Sequence, residues 1–219
     1  MTITLVILAV AVVFVLWRLS SVLGQDQGFI PQFDRDTGGP ERTEAATDEP
    51  ASPQEPFSLS RDDVDPASDY SEIQSTLSQI NERDALFHPR DFLGDAGNAF
   101  EVILGAFASG DKDTLSSFVS KDVYAGFAQA IDDRDANGQH LELTVLKAPD
   151  TLYYSAEITG NTAFVTLTVR SEQIQVVRDK EGAITSGDPN QTSTVVDHWN
   201  FSRKLGSSDP IWTLIATQA

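Results

Sequence analysis

The chain has 219 residues, a formal net charge of −18, no cysteine and only three histidines. An acidic balance in both residues 25–69 and residues 70–219 excludes a nucleic-acid binder that works by neutralising phosphates. Without cysteine there is no disulfide scaffold and no thiolate metal site, and His88, His140 and His198 are too far apart in sequence to suggest a histidine zinc centre.

The first element is a membrane segment. From Leu5 to Leu16 every side chain is apolar, and only Thr4 interrupts the stretch from Ile3 to Trp17. A helix satisfies its own backbone in lipid, and spanning takes about 20 residues. Residues 2–23 reach that length, with Arg18 snorkelling to the interface beside Trp17. A cleaved signal peptide would need a basic start and a small-residue cleavage site; the chain begins Met-Thr-Ile-Thr and no Ala-x-Ala follows. The reading is therefore an uncleaved anchor over residues 1–24. Its one flanking cation, Arg18, predicts an outside N-terminus and a cytoplasmic remainder.

Residues 25–69 hold twelve acids against three arginines, and six of the ten prolines. Low hydrophobicity with high net charge predicts a disordered, self-repelling tether. One apolar patch, Gly28 to Phe33, interrupts it and could rest among lipid headgroups or meet a partner.

Residues 70–219 read as the folded domain. Tyr70, Ile73, Leu77 and Ile80 recur at helical spacing. His88-Pro89 interrupts that helix, because a residue before proline avoids helical angles. A second, broadly apolar helix runs from Pro89 to Ser109, and Gly110 ends it. Asp111 or Asp113 can cap a short third helix, and Ser120 or Asp122 a fourth that stops at Asn137-Gly138.

The period then changes from 3.6 to 2. His140–Val145 alternates, and Leu152–Ile158 reads as a second strand. Gly160-Asn161 is a turn, and Ala163, Val165, Leu167 and Val169 form one face of a third strand. Ile174 and Val176 fall out of phase with Val169, which predicts a bulge near Ser171-Glu172. Residues 180–191 read as a polar hairpin loop, residues 192–204 and 211–216 as the last strands. Short connections make the sheet antiparallel. The expected class is α+β, with helices packed on a curved antiparallel sheet and a groove at its mouth.

Alternation places Val195, Asp197, Trp199, Phe201 and Arg203 on one face and Val196, His198, Asn200 and Ser202 on the other. Phe127, Asp197, Trp199, Phe201, Arg203 and Trp212 are the candidate binding residues. They either line a cavity for an apolar segment or a small ligand, or they are core aromatics with Asp197 and Arg203 as rim charges. An acid/base reading would use Asp197 with Tyr153 or Tyr154, or His198 as a base. Asp197 and His198 point to opposite faces and cannot act as one couple. No nucleophile elbow, phosphate loop or metal motif is present, and no cofactor is expected.

Two motif groups carry a resemblance. Phe92-Leu-Gly-Asp-Ala-Gly-Asn-Ala-Phe-Glu-Val-Ile-Leu-Gly-Ala-Phe-Ala-Ser-Gly-Asp111, with Leu115 and Val123-Tyr-Ala-Gly-Phe127, resembles the start of the Tim-forty-four-like domain. Trp199-Asn-Phe-Ser-Arg203 with Pro210-Ile-Trp-Thr-Leu214 resembles its close. The resemblance covers about residues 75–219. The anchor and acidic linker are similar to the bacterial TimA-type members. The family implies a cone-like fold of the nuclear-transport-factor-two-like or cystatin-like kind, with two main helices on a curved sheet and an apolar cavity, and a non-enzymatic adaptor linked to protein translocation. The mitochondrial relatives carry a long N-terminal region that contacts chaperone and translocase; this chain has an anchor and a tether in its place. Ser71 to Arg90 is not basic, which disfavours attraction to anionic lipid. The resulting expectation is a single-pass protein of the bacterial inner membrane, held by residues 2–23, whose cytoplasmic domain binds a protein partner through the groove bordered by Phe127, Trp199 and Trp212. The alternatives are a small-ligand or acid/base cone domain, and a purely structural membrane protein.

Overall fold

The computed structural model describes residues 58–218, so the expected anchor and most of the expected tether lie outside the described residues. Four helices precede six strands. Helix α1 (Tyr70–Arg83) starts at Asp69, whose carboxylate accepts from the Ser71 and Glu72 amides, and it buries Ile73, Leu77 and Ile80. Helix α2 (Pro89–Ser109) has proline in its first turn, where the missing N–H is no loss, and ends on Gly110 in the left-handed conformation. Helix α3 (Lys112–Phe118) is capped by the Asp111 side chain and α4 (Lys121–Ala136) by Ser120. Pro89, Gly110, Asp111 and Ser120 are residues the sequence marks for these roles; the start of α1 at Asp69 and its end at Arg83 are not.

The strands are β1 (His140–Val145), β2 (Asp150–Thr159), β3 (Thr162–Arg178), β4 (Ile184–Gly187), β5 (Ser193–Lys204) and β6 (Thr213–Gln218). They form one antiparallel sheet around the long strand β3. On one side of β3, β2 pairs with its first half and β1 with its second. On the other side lies β5, followed outward by β6. The polar stretch expected to be a plain loop contains β4, which pairs with the end of β3. Gly187 permits this pairing: its φ is +83°, and a Cβ there would collide with the Gln175 carbonyl oxygen.

The expected bulge near Ser171-Glu172 is absent. The β3–β5 register is unbroken from Thr162 to Gln173, and the β1–β3 register from Gln173 to Arg178. The apparent phase slip has another cause. Ser171 and Gln173 continue the buried row of Ala163, Val165, Leu167 and Val169, so polar residues occupy core-facing positions. Register shifts fall instead at Tyr153/Ser155 in β2, at Val177/Arg178 and at Asn200/Phe201 opposite β6. In β6 the shift lets both Leu214 and Thr217 be buried.

Helix α2 lies against β1 and β2, and its aromatic side chains also reach β5. Phe92 meets Tyr153 stacked at 6.2 Å and Phe201 edge-on at 5.9 Å; Phe100 meets Trp199 at 4.8 Å. Fully burying one such side chain stabilises the fold by roughly 1.5–3 kcal/mol. The domain begins earlier than the sequence reading places it. Leu59 and Val64 are core residues. Val64 bridges Tyr153 at the edge of β2, and the Tyr70 hydroxyl donates to the Leu59 carbonyl at 2.6 Å. The expected disordered linker is thus corrected at its end: from Leu59 onward the chain is packed.

Leu59→Ala should therefore lower the unfolding free energy by about 2–4 kcal/mol in a denaturant titration. Leu86→Ala, at a position 55% exposed, should change it by no more than about 0.5 kcal/mol.

Candidate functional site

The inward row of β5 carries four of the six candidate residues, and they sit in different surroundings. Arg203 is at one end. Its Nη2 lies 3.3 Å from Asp84 Oδ2, with both side chains 2% exposed. Its Nε donates to the Asp209 carbonyl at 3.1 Å and Nη2 to the Ser207 carbonyl at 3.3 Å. Asp84 closes α1 through its own amide and accepts the Leu86 amide at 3.0 Å. The pair ties the end of α1 to the β5–β6 connection. Arg203 is no rim charge, and its partner is not Asp197. Asp84 carries no sequence mark for this role: it stands after a helix, where an exposed acid is ordinary.

Phe201 and Trp199 follow, at 3% and 2% exposure, packed on Phe92 and Phe100. Phe127 on α4 is buried against Phe107, with ring centroids 5.3 Å apart. Trp212 packs on Phe87 at 5.3 Å and Phe92 at 4.9 Å, yet is only partly buried. So the structure brings the aromatic candidates together as a packed wall, and of the six residues Trp212 alone reaches the surface. Depressions are found elsewhere among the described residues: one of about 540 Å³ along the outer face of α1 from Tyr70 to Glu82, and one of about 350 Å³ on the uncovered sheet face, lined by Tyr154, Thr166, His198, Asn200 and Ala216 to Gln218.

Asp197 lies at the other end of the row. It is 6% exposed and its Oδ1 has no hydrogen-bond partner. Burial pushes its carboxyl up to about 6. The partners proposed for acid/base work do not assemble around it. Tyr153 is inward, but its hydroxyl donates to the Pro89 carbonyl at 2.7 Å, and burial pushes its ionisation upward. Tyr154 is the extra residue at the β2 register shift and is exposed on the uncovered face, its ring 4.2 Å from that of His198. His198 therefore belongs to the opposite side of the sheet from Asp197. Its polar neighbours by register were missed in the sequence: Ser171 on β3, with Gln173 beyond it, and Thr217 on β6 opposite Trp199, all buried. Their only trace was the break in β3's apolar alternation. Among the described residues no group of three or more acids and histidines could hold a metal ion.

A buried acid with a raised pKa makes a directional prediction. The unfolded carboxyl releases its proton near 3.8 and the folded one near 6, so the folded state binds more protons between those values. Stability contributed by the protonated form is complete below 3.8 and is lost as pH rises through 6. The ionised carboxylate then costs the fold about 3 kcal/mol. Asp197→Asn should raise the unfolding free energy at pH 7.5 by about 1–3 kcal/mol and flatten the pH dependence across that window. By contrast Asp84→Ala, which strands the Arg203 guanidinium, should cost about 3–5 kcal/mol, and replacing both partners by Leu and Met should cost markedly less.

Comparison with known proteins places this geometry. The chain is 25% identical over 146 residues to the mitochondrial import inner membrane translocase subunit TIM44-1 of Arabidopsis thaliana, covering 64% of this chain and 31% of that protein. It is 22% identical over 151 residues to the human TIM44 subunit, covering 68% of this chain and 33% of that one. The chain thus spans about a third of the length of the curated relatives it matches. Among solved structures, a nuclear transport factor 2-like superfamily protein from Salmonella enterica is similar with a TM-score of 0.37 and 8% identity, over 60% of this chain and 91% of that one. Residues 73–219 match the Tim44-like domain, and the chain belongs to the Tim44-like domain family.

Proposed function

We propose that this protein is a membrane-tethered adaptor. Residues 2–23 anchor it in the bacterial inner membrane, the acidic stretch that follows acts as a tether, and the Tim44-like domain engages a protein partner on the cytoplasmic side, in protein transport or membrane-protein biogenesis. The observation that carries this reading is family membership across residues 73–219, in a family whose matched relatives are named as import translocase subunits. The apolar run from Leu5 to Leu16 and the charge of residues 25–69 support the tethered arrangement. A tether of this kind raises the domain's effective concentration for membrane-bound partners by orders of magnitude over free diffusion.

The site for an apolar partner segment shifts with the geometry. Phe127, Trp199 and Phe201 are committed to the core, so a segment docking there would have to displace packed aromatics. Trp212 is only partly buried, and Leu86 beside its packing partner Phe87 is 55% exposed. The adaptor surface is therefore centred on Trp212 and Leu86, where the α1–α2 and β5–β6 connections meet across the Asp84–Arg203 pair.

In-cell photo-crosslinking from a probe at position 212, with Lys180 (exposed on the β3–β4 turn) as the control position, tests this. Specific protein adducts from 212 and none from 180 are the expected result. A folded domain that yields no protein adduct from either position would contradict an adaptor.

A further inference from the structure

The described chain is held from its first residues. Leu59 is buried while Ser58 and Ser60 on either side are exposed, and the Tyr70 hydroxyl donates to the Leu59 carbonyl at 2.6 Å. Ser60 has φ −72° and ψ 144°, the geometry of a polyproline II helix. That helix has three residues per turn, so every third residue lies on one ridge. Counting back from Leu59 in threes gives Pro56, Pro53 and Pro50. The sequence before the described residues therefore continues the ridge of Leu59 with three prolines, in the conformation that proline itself favours.

A surface of matching length begins at the same place. Tyr70 stands at the head of the depression of about 540 Å³ on α1, which runs past Ser71, Gln74, Ser75, Ser78 and Gln79 to Glu82. A solvent-facing helix side normally carries charges. Here the nine residues from Ile73 to Asn81 carry none, in a chain whose residues are 22% charged. Serine hydroxyls and glutamine amides are neutral hydrogen-bond donors. A polyproline II backbone makes no internal hydrogen bonds, so its carbonyls are open to such donors. The lengths agree as well. Tyr70 to Glu82 measures about 18 Å along the helix axis, which polyproline II covers in about six residues, the separation of Pro56 from Pro50.

We propose that the chain's own Pro50–Pro56 segment docks along the outer face of α1, antiparallel to the helix, its proline ridge continuing that of Leu59 and its carbonyls accepting from the serine and glutamine side chains. Because Leu59 is fixed beside Tyr70, the segment meets this face at an effective concentration in the millimolar range. Its proline-set conformation keeps the ordering cost low. The chain then leaves the domain at the Glu82 end of α1, next to Asp84 and Leu86, rather than at Tyr70. The docking does not rest on the adaptor reading. Its consequence does: the Trp212 and Leu86 corner is turned toward the anchor, and the tether is shortened to residues 25–49.

The test uses the full chain, labelled with nitrogen-15, in non-ionic detergent. The chain has no cysteine, so a nitroxide can be attached at one position, Glu82→Cys, with Lys180→Cys as the control. The expected result is amide broadening from position 82 that rises from Phe57 through Gln54 to Ala51, with none of these signals broadened from position 180. Replacing Pro50, Pro53 and Pro56 together by glycine leaves the folded domain untouched and should reduce the broadening of Ala51 several-fold. Ser75→Glu, at an exposed position in the face, should do the same from the helix side. Uniform broadening from Ala51 to Phe57, no broadening, or broadening undiminished in the glycine variant would overturn the proposal. So would broadening that passes between a spin-labelled molecule and an unlabelled one, which would mean that the segment docks on a second copy. The measurement needs no partner protein, so it holds or fails separately from crosslinking at position 212.

Discussion

Phe92 and Phe100, two turns apart on α2, hold the domain in register. Phe92 touches Phe87 before the helix, Tyr153 on β2, Phe201 on β5 and Trp212 beyond it. Phe100 extends the same contact to Trp199. Through these two side chains one helix joins strands that are far apart in the sequence. The helix can sit there because the facing positions of β3 and β5 are buried as continuous rows. Tyr153 closes the arrangement from below by donating its hydroxyl to the Pro89 carbonyl at the start of the helix.

Two charged groups are buried on β5, and the contrast between them separates structure from function. Arg203 is paired with Asp84 and bound by two carbonyls, so its charge organises the loops that present Trp212. Asp197 has no such partner, and its ionisation opposes folding at neutral pH. Of the aromatic wall, the partly buried Trp212 is the part that reaches the surface, where those loops meet.

Much of the fold is written in local signals. Pro89 and Gly110 bound α2, Ser120 starts α4, and Asn137-Gly138 turns the chain into β1. These are legible because each acts on its own backbone. Other features depend on partners remote in sequence. Leu59 and Val64 look like stray apolar residues in an acidic stretch; they are core only because the Tyr153 edge and the Tyr70 hydroxyl lie beside them. Asp84 pairs with a residue more than a hundred positions away. Strand alternation identifies a buried face by its apolar residues, so it fails where that face is polar, which is why Ser171 and Gln173 suggested a bulge. The candidate residues share one face of β5 as expected, but alternation is blind to what stands opposite, and it cannot tell the wall of a groove from the wall of a filled core.

The account rests on the covered face being filled by α2 rather than open as a groove. Native-state hydrogen exchange on the full chain measures this most directly. Amides of Phe100 and Ile103 in α2 and of Phe201 in β5 should exchange only through global unfolding, with an opening free energy equal to that from denaturant melting. Exchange at these amides through a local opening several kcal/mol below the global value would mean that α2 lifts from the sheet, and would return the aromatic wall to the role of a binding groove.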